Sequence, residues 1–477
     1  MTNSRSALRR WILPSLCLSL LACACDRREP QRPLANAGKQ GLSCSKIEDV
    51  FALAPDEIDL GSACLLADRE VDAALDLRAC IERLDQLAHE FLWRGEPDDS
   101  IEETLQHLVA VAAEAPRSGE PIEYEYTQPQ LARVIDHGKG NCVSLSALYL
   151  AIAERAGLDL RGVLLPYHFK VRHERPDGVY EIETTNGRIS RGRDDAIARY
   201  FSERDRSSSR FGETLSPRDT LAHYVAECGN RLHRMGGSAR GLELCQLAIA
   251  ACPDLLMAHV FVGDIETEFD ATSGKGIAAY QRALEIRPDD AYIWLRLANA
   301  YIRSGSCPQA LTSCSKALAL DRDLAPGWLR LAEIHLCVGS LDDGLAACRT
   351  ARELRPERMH VQDSVAIAAF YGDYRHFEAE TYRTESRICA EFSRRYSGKP
   401  PTGMALADAM LQTELWLSRS NFCTTLACPE LFPLETGRWA YQSATERMRA
   451  DARLAADSTL IELAKAASAH LKAIGAL

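Results

Sequence analysis

The chain has 477 residues, 46% of them hydrophobic and 26% charged, with a formal net charge of −11. These proportions exclude a fibrous or wholly disordered chain, and the length calls for about two to four domains at roughly 100–200 residues each. With no long basic run beyond the extreme N-terminus, the acidic balance excludes nucleic acid as the main partner, because phosphate binding needs a positive footprint.

Residues 1–22 have the pattern of an export signal. Arg5, Arg9 and Arg10 make a positive start, and residues 11–21 (WILPSLCLSLL) form an apolar run of 11 residues. That run is short for a transmembrane helix, and Pro14 interrupts it. It ends in Leu20-Leu21-Ala22-Cys23, which resembles a bacterial lipobox, with Cys23 as the lipidated residue and new N-terminus. Cys25, after Ala24, is a second candidate, and an ordinary secretory signal with incidental cysteines is the other reading. Arg9-Arg10-Trp11-Ile12-Leu13 also faintly resembles a twin-arginine signal. The expected location is the bacterial cell envelope, on its periplasmic or outer-surface face, anchored by lipid. Such a compartment permits disulfides, and Cys423 and Cys428 are close enough for a local bridge, although sequence alone does not establish connectivity. Losing three arginines with the signal takes the net charge from −11 to −14.

Residues 23–45 read as a tether, polar and rich in Pro and charge over residues 26–40. A first folded body is expected over residues 46–215. Helical periodicity runs through residues 46–115, where Leu77, Ile81, Leu84, Leu87 and Ala88 recur at helical intervals. A long helix is predicted over 142–156, with Gly157 as its C-terminal stop. Residues 161–185 are rich in β-branched and aromatic types and hold a Pro-Asp-Gly turn, so they read as strands and a hairpin.

From about residue 216 to 395 the chain repeats. Trp294 and Trp328 are 34 residues apart, as are Leu297 and Leu331, Ala298 and Ala332, Gly305 and Gly339, and Ala317 and Ala351. Pro288 and Pro356 are two such periods apart, and Arg322 stands where the intermediate proline would be. This pattern resembles the tetratricopeptide repeat. Four units are predicted at about 222–255, 257–290, 291–324 and 325–358, with a partial unit around 361–384 as a cap. Each helix pair leaves an apolar face that its neighbour must cover. Cys228, Cys245, Cys314 and Cys348 fall at inward positions and read as small buried hydrophobes. On the repeat pattern Phe261, Tyr292, Asn299, Arg303 and Glu333 are expected to line a concave, protein-binding groove. Residues 396–477 read as a further helical region with a Pro-rich entry.

Among 17 cysteines, Cys142 stands apart. The stretch GKGNCVSLSALY delivers it to the predicted N-terminus of a helix, where free N–H groups and the helix dipole favour a thiolate. The candidate base is His168. A four-residue hairpin loop, Glu174 to Asp177, would set His173 opposite Gly178 and His168 opposite Glu183, so that a carboxylate orients the imidazole. His173, an odd number of residues away, would point to the other face, against a joint metal site. His137 reads as a surface residue at a helix end.

The segments GNCVSLSALYLAIAERAGL, GVLLPYHFKVR and YEIETTNG together resemble the Cys, His and Asp motifs of the bacterial transglutaminase-like superfamily, and the lead-in IDLGSACLLADREVDAALDLRACIERLDQLA resembles that of a subfamily often joined to tetratricopeptide repeats. The resemblance covers roughly residues 46–200. It implies an α+β, papain-like domain followed by an all-α repeat solenoid. It further implies Cys142 as nucleophile, His168 as base and later acid, and Glu183, where Asp is usual, as orienting carboxylate. The activity implied is hydrolysis or acyl transfer at protein or peptide amide bonds, through a Cys thioester and without a cofactor. The competing reading is a non-catalytic, membrane-anchored scaffold whose repeats bind a protein partner.

Overall fold

The structure is a computed structural model. It describes residues 34–36, residues 44–354 apart from 97, 166 and 193–211, and residues 381, 384, 387 and 388. Residues 1–22, Cys23, Cys25, most of the tether, all but two residues of the partial 361–384 unit, residues 396–477 and the Cys423/Cys428 pair lie outside the described residues.

Four helices open the first body: α1 (Ile47–Phe51), α2 (Leu60–Val71), α3 (Leu77–Arg94) and α4 (Ile101–Ala113). Side-chain caps mark three of their starts. Asp59 accepts from the Ser62 N–H, Asp76 from the Ala79 N–H, and Ser100 and Glu103 form a reciprocal capping box. On α3, Leu84, Leu87, Ala88 and Phe91 form the buried stripe, at the spacing read from sequence. A short strand β1 (Glu123–Tyr124) then pairs in parallel with β2 (Lys139–Gly140), with α5 (Leu131–His137) between them. This pairing lays the 123–128 segment beside the start of α6 (Cys142–Ala156).

Helix α6 is the centre of the body. Every residue from Cys142 to Ala153 is buried, so the helix is wrapped rather than laid on a surface. It packs against α2, α3, α4 and α5, and against the sheet. Its one buried cation, Arg155, pairs with Asp59 at 3.2 Å and Asp85 at 2.8 Å. Gly157 ends the helix in the left-handed conformation, as predicted.

An antiparallel sheet follows in the order β3 (Arg161–Leu165), β4 (His168–Arg175), β5 (Gly178–Glu183) and β6 (Arg188–Arg191). Phe169, Val171 and Ile182 join the α6 core. The hairpin corrects the expected register. Only Pro176 and Asp177 join β4 to β5, so Arg175 faces Gly178 and His173 faces Tyr180. The expected four-residue loop is two residues too long. The shorter turn keeps Glu174 and Arg175 in the ladder and sets Arg172 opposite Glu181, which also takes Lys170 Nζ at 2.5 Å. Charges thus meet their partners inside a buried sheet face. A slip of two residues preserves side-chain parity. Glu183 therefore remains on the same side as His168, as a diagonal rather than a direct neighbour.

Eight helices follow among the described residues: α7 (Pro217–Arg234), α8 (Ser238–Ala251), α9 (Leu256–Phe269), α10 (Lys275–Ile286), α11 (Ala291–Arg303), α12 (Cys307–Leu320), α13 (Ala325–Val338) and α14 (Leu341–Glu353). They form four helix pairs that fall on the four predicted units. Ala310, Cys314 and Ala317 are fully buried, as their small size requires where helices approach closely. Trp294 Nε1 donates to the Pro288 carbonyl and Trp328 Nε1 to the Arg322 carbonyl, both at 2.8 Å. The acceptor is backbone, so Arg can replace Pro at that repeat position without loss of the bond. A disulfide, Cys307–Cys337, joins the start of α12 to the end of α13; nothing in the sequence singled out that pair. Helix α7 serves both bodies. Leu221, Tyr224 and Val225 belong to the first core, with Tyr224 Oη donating to Asp68 Oδ1 at 2.6 Å, while Ala222 and Ala226 pack among the repeats.

Candidate active site

The sulfur is placed by backbone first. Gly138 caps α5 in the left-handed conformation, with φ +67°, and turns the chain into β2. Gly140 has no room for a side chain, since a Cβ there would meet Ser144 Oγ and Val134 Cγ2 at 2.5 Å. Asn141 then caps α6, its Oδ1 accepting from the Val143 N–H at 2.9 Å and the Ser144 N–H at 3.2 Å. Ser144 Oγ accepts from the Asn141 N–H at 3.0 Å and donates to the Gln128 carbonyl at 3.0 Å. Asn141 Nδ2 donates to the Tyr126 carbonyl at 3.2 Å. Cys142 is thereby held at the first position of the helix, 8% exposed, at the positive end of the dipole.

The downstream pair meets it there. His168 Nε2 lies 2.7 Å from Glu183 Oε2, and the imidazole stands close enough to the Cys142 sulfur for the two to interact electrostatically. Glu183 is itself held: Thr185 donates to its Oε1 from the side chain at 2.6 Å and from the backbone at 3.3 Å. Burial alone would pull the His168 pKa down. Its hydrogen bonds to Cys142 and Glu183, with the charges of both, win and push it up to about 10. Burial likewise works against the Glu183 carboxylate, but His168 and Thr185 hold its pKa below the ordinary value. The imidazole is therefore a cation at neutral pH, beside a sulfur at a helix N-terminus.

The helix and the sheet are tied at this point by a buried pair of hydroxyls. Ser146 Oγ lies 2.9 Å from Thr184 Oγ1 and 3.3 Å from the Phe169 carbonyl. Ser146 stands one turn beyond Cys142, and Thr184 adjoins Glu183. The signal was present in the sequence as a second serine in an apolar helix and a Thr-Thr pair after the carboxylate.

Cys142 and His168 line a cavity of about 90 Å³. Tyr124, from the β1 segment, lines the cavity beside Cys142, and burial, then the sulfur's charge, hold its hydroxyl well above the ordinary range. The opposite wall comes from the repeats: Glu227 on α7, Met257 and Phe261 on α9, Tyr292 and Arg296 on α11. Burial pushes the Glu227 pKa up to about 7 against the opposing charge of Arg234. Of the five expected groove residues, Phe261 and Tyr292 line this cavity. Asn299 is half-buried and Arg303 exposed, neither lining it, and Glu333 pairs with Arg330 on its own helix. His137 is exposed at the end of α5, and His173 Nδ1 bonds the Asp159 carbonyl at 2.6 Å, away from the sulfur. Among the described residues, no group of three or more His, Cys, Asp or Glu could hold a metal ion.

Residues 78–225 match the family model of the transglutaminase-like superfamily, and residues 275–305 that of a TPR repeat. The chain carries a transglutaminase-like domain followed by TPR repeats. Cys142, His168 and Glu183 all fall within the transglutaminase-like match, and the TPR match covers α10 and α11. No curated protein matches the sequence. Among solved structures, "MamA MSR-1 C2" is 22% identical over 28% of this chain and 76% of its own, with a TM-score of 0.25. A second, "Crystal structure of MamA", is 13% identical over 35% of this chain and 96% of its own, with a TM-score of 0.26. A third, described as "YrrB: a TPR protein with an unusual peptide-binding site", is 14% identical over 39% of this chain and 91% of its own, also with a TM-score of 0.26.

Proposed function

We propose that the chain is a thiol enzyme that cleaves or transfers at amide bonds of a protein or peptide, with the TPR repeats contributing recognition. The observation that carries this reading is the hydrogen-bonded pair His168–Glu183 brought to the wall of the same cavity as Cys142. The thiolate of Cys142 attacks the amide carbon and forms a C–S bond, placing negative charge on the former carbonyl oxygen. The Cys142 N–H, one of the N–H groups a helix start leaves without an internal acceptor, and the Tyr124 hydroxyl are the candidate donors to that oxygen. His168 passes its proton to the departing nitrogen as the C–N bond breaks, leaving a thioester and a neutral imidazole. Water or an amine then attacks the thioester carbon, His168 takes the proton of that nucleophile, and the C–S bond breaks to return the Cys142 thiolate beside the imidazolium. Water makes the reaction a hydrolysis; an amine makes it a cross-link. The lipobox-like Leu20-Leu21-Ala22-Cys23 supports anchoring of this activity at a membrane of the cell envelope.

The test uses the full-length chain and a thiol-directed reagent that mimics an amide, with the modified residue located by mass spectrometry. Modification of Cys142 that is lost on His168→Gln supports the reading. Equal labelling of a Cys142→Ala chain sinks it. A partner pulled down equally by wild-type and Cys142→Ala chains, joined to a Cys142→Ala strain without phenotype, favours the scaffold.

A further inference from the structure

The turn from β3 to β4 contains a residue in the wrong conformation for its type. Leu165 pairs with His168, so the connection is a two-residue hairpin loop, and Tyr167 is its second residue. Its φ is +56°, in the left-handed region, and it is the one non-glycine among the described residues with positive φ. Hairpin turns place glycine or asparagine at such a position, because a Cβ is strained there. A tyrosine is retained only if its side chain holds the strained backbone in place.

The side chain reaches across to the repeats. Tyr167 Oη donates to Asp290, 2.9 Å from each carboxylate oxygen, and its ring packs edge-on against Tyr292 at a centroid distance of 5.8 Å and 77°. Asp290 cannot swing to follow a moving partner. Its Oδ1 caps α11 by accepting from the Tyr292 and Ile293 N–H groups at 3.0 and 3.1 Å, and its Oδ2 lies 3.1 Å from Arg287. It is 3% exposed. Arg296, also facing this hydroxyl, is tied to Asp264 at 2.5 Å. The anchor is thus a rigid helix start, 123 residues along the chain from the turn it holds. The next residue after Tyr167 is His168.

We propose that Tyr167 is a positioning residue: clamped by Asp290 and Tyr292, it sets the β3–β4 turn so that His168 meets both Cys142 and Glu183, which makes α11, the first helix of the third repeat unit, part of the catalytic geometry. The inference rests on the thiol-enzyme reading above. It assigns the repeats a second task beside recognition, since displacement of α11 moves the turn that carries the base.

The experiment is the pH profile of iodoacetamide alkylation at Cys142, followed peptide by peptide in the full-length chain. Wild type is expected to alkylate faster at Cys142 than at its other cysteines below neutral pH, where the His168 imidazolium stands beside the sulfur. Tyr167→Phe removes the hydroxyl alone. Tyr167→Gly keeps the turn and removes the clamp. Both are expected to slow low-pH alkylation about tenfold, the loss that a weakening of the His168 contacts by one unit of its pKa produces. Asp290→Asn retains a cap and an acceptor and is expected to keep most of the wild-type profile. A Tyr167→Gly protein that is folded and superimposes on wild type overturns the proposal, since turn geometry alone would then suffice. A wild-type chain with no fast low-pH arm removes the thiol-enzyme reading itself, and this inference with it.

Discussion

Replacing Glu183 by Gln isolates the charge that holds His168. The isostere keeps an acceptor near Nε2 but removes the anion. A hydrogen bond to a charged group contributes about 1.5–3 kcal/mol. The side chains are 28% and 14% exposed, so solvent screens this pair only in part. At about 1.4 kcal/mol per unit, the His168 pKa should fall by about one to two units from its value near 10. The signs for stability follow. His168, raised above its ordinary 6.5, stabilises the fold fully below that pH and loses the contribution as pH rises through about 10. Glu183, held below its ordinary 4.5, contributes above that pH and loses it as pH falls through the lowered value. The pair is therefore worth most between about pH 4.5 and 6.5, and Glu183→Gln should lower stability there more than above pH 10. The assay is a titration of carbon-13-labelled histidine by NMR, with His168 among 12 histidines assigned from its absence in His168→Gln. An unmoved midpoint in a folded Glu183→Gln protein would refute the account of how the imidazolium is held.

Three other outcomes are expected. Ser146→Ala orphans the Thr184 hydroxyl and loosens α6 from β4 and β5, costing about 1–3 kcal/mol in chemical denaturation; the alkylation rate of Cys142 should fall with it. Asp68, whose pKa burial raises to about 7, favours folding most below its ordinary 3.8 and progressively less as pH rises towards 7. Asp68→Asn should abolish that slope of stability against pH, measured by thermal melts at constant ionic strength. Reduction of Cys307–Cys337, which closes a loop 30 residues apart in sequence, should destabilise the repeats by about 3–4 kcal/mol in denaturant while leaving the His168 titration unmoved.

Much of this molecule is legible one residue at a time because its signals are local. The 34-residue spacing of Trp294 and Trp328 marks the helix pairs, since each repeat buries the same face in the same way. The glycines and Asn141 before Cys142 announce a helix start, and Gly157 its end, because capping is settled within a few residues of the chain. The strands of residues 161–185 follow from their β-branched and aromatic content. Sequence also orders the candidate residues, with Cys142 before His168 before Glu183.

What sequence left open depends on contacts far apart in the chain. The hairpin register turned on a turn of two residues, Pro176 and Asp177, which leaves Glu174 and Arg175 paired in the ladder and Arg172 facing Glu181. Phe261 and Tyr292 read as groove residues on repeat periodicity, yet they face the cavity of Cys142, because α7 packs into the first core and brings the repeats against it. Tyr167 gave no signal at all: only the strained turn and the distant Asp290 together show why a tyrosine stands there. Local chemistry, then, dictated the elements and the end of the helix that bears the thiol. Tertiary packing decided which wall faces that thiol and what holds its histidine, because those are energies of burial and pairing between segments that meet only once the chain has folded.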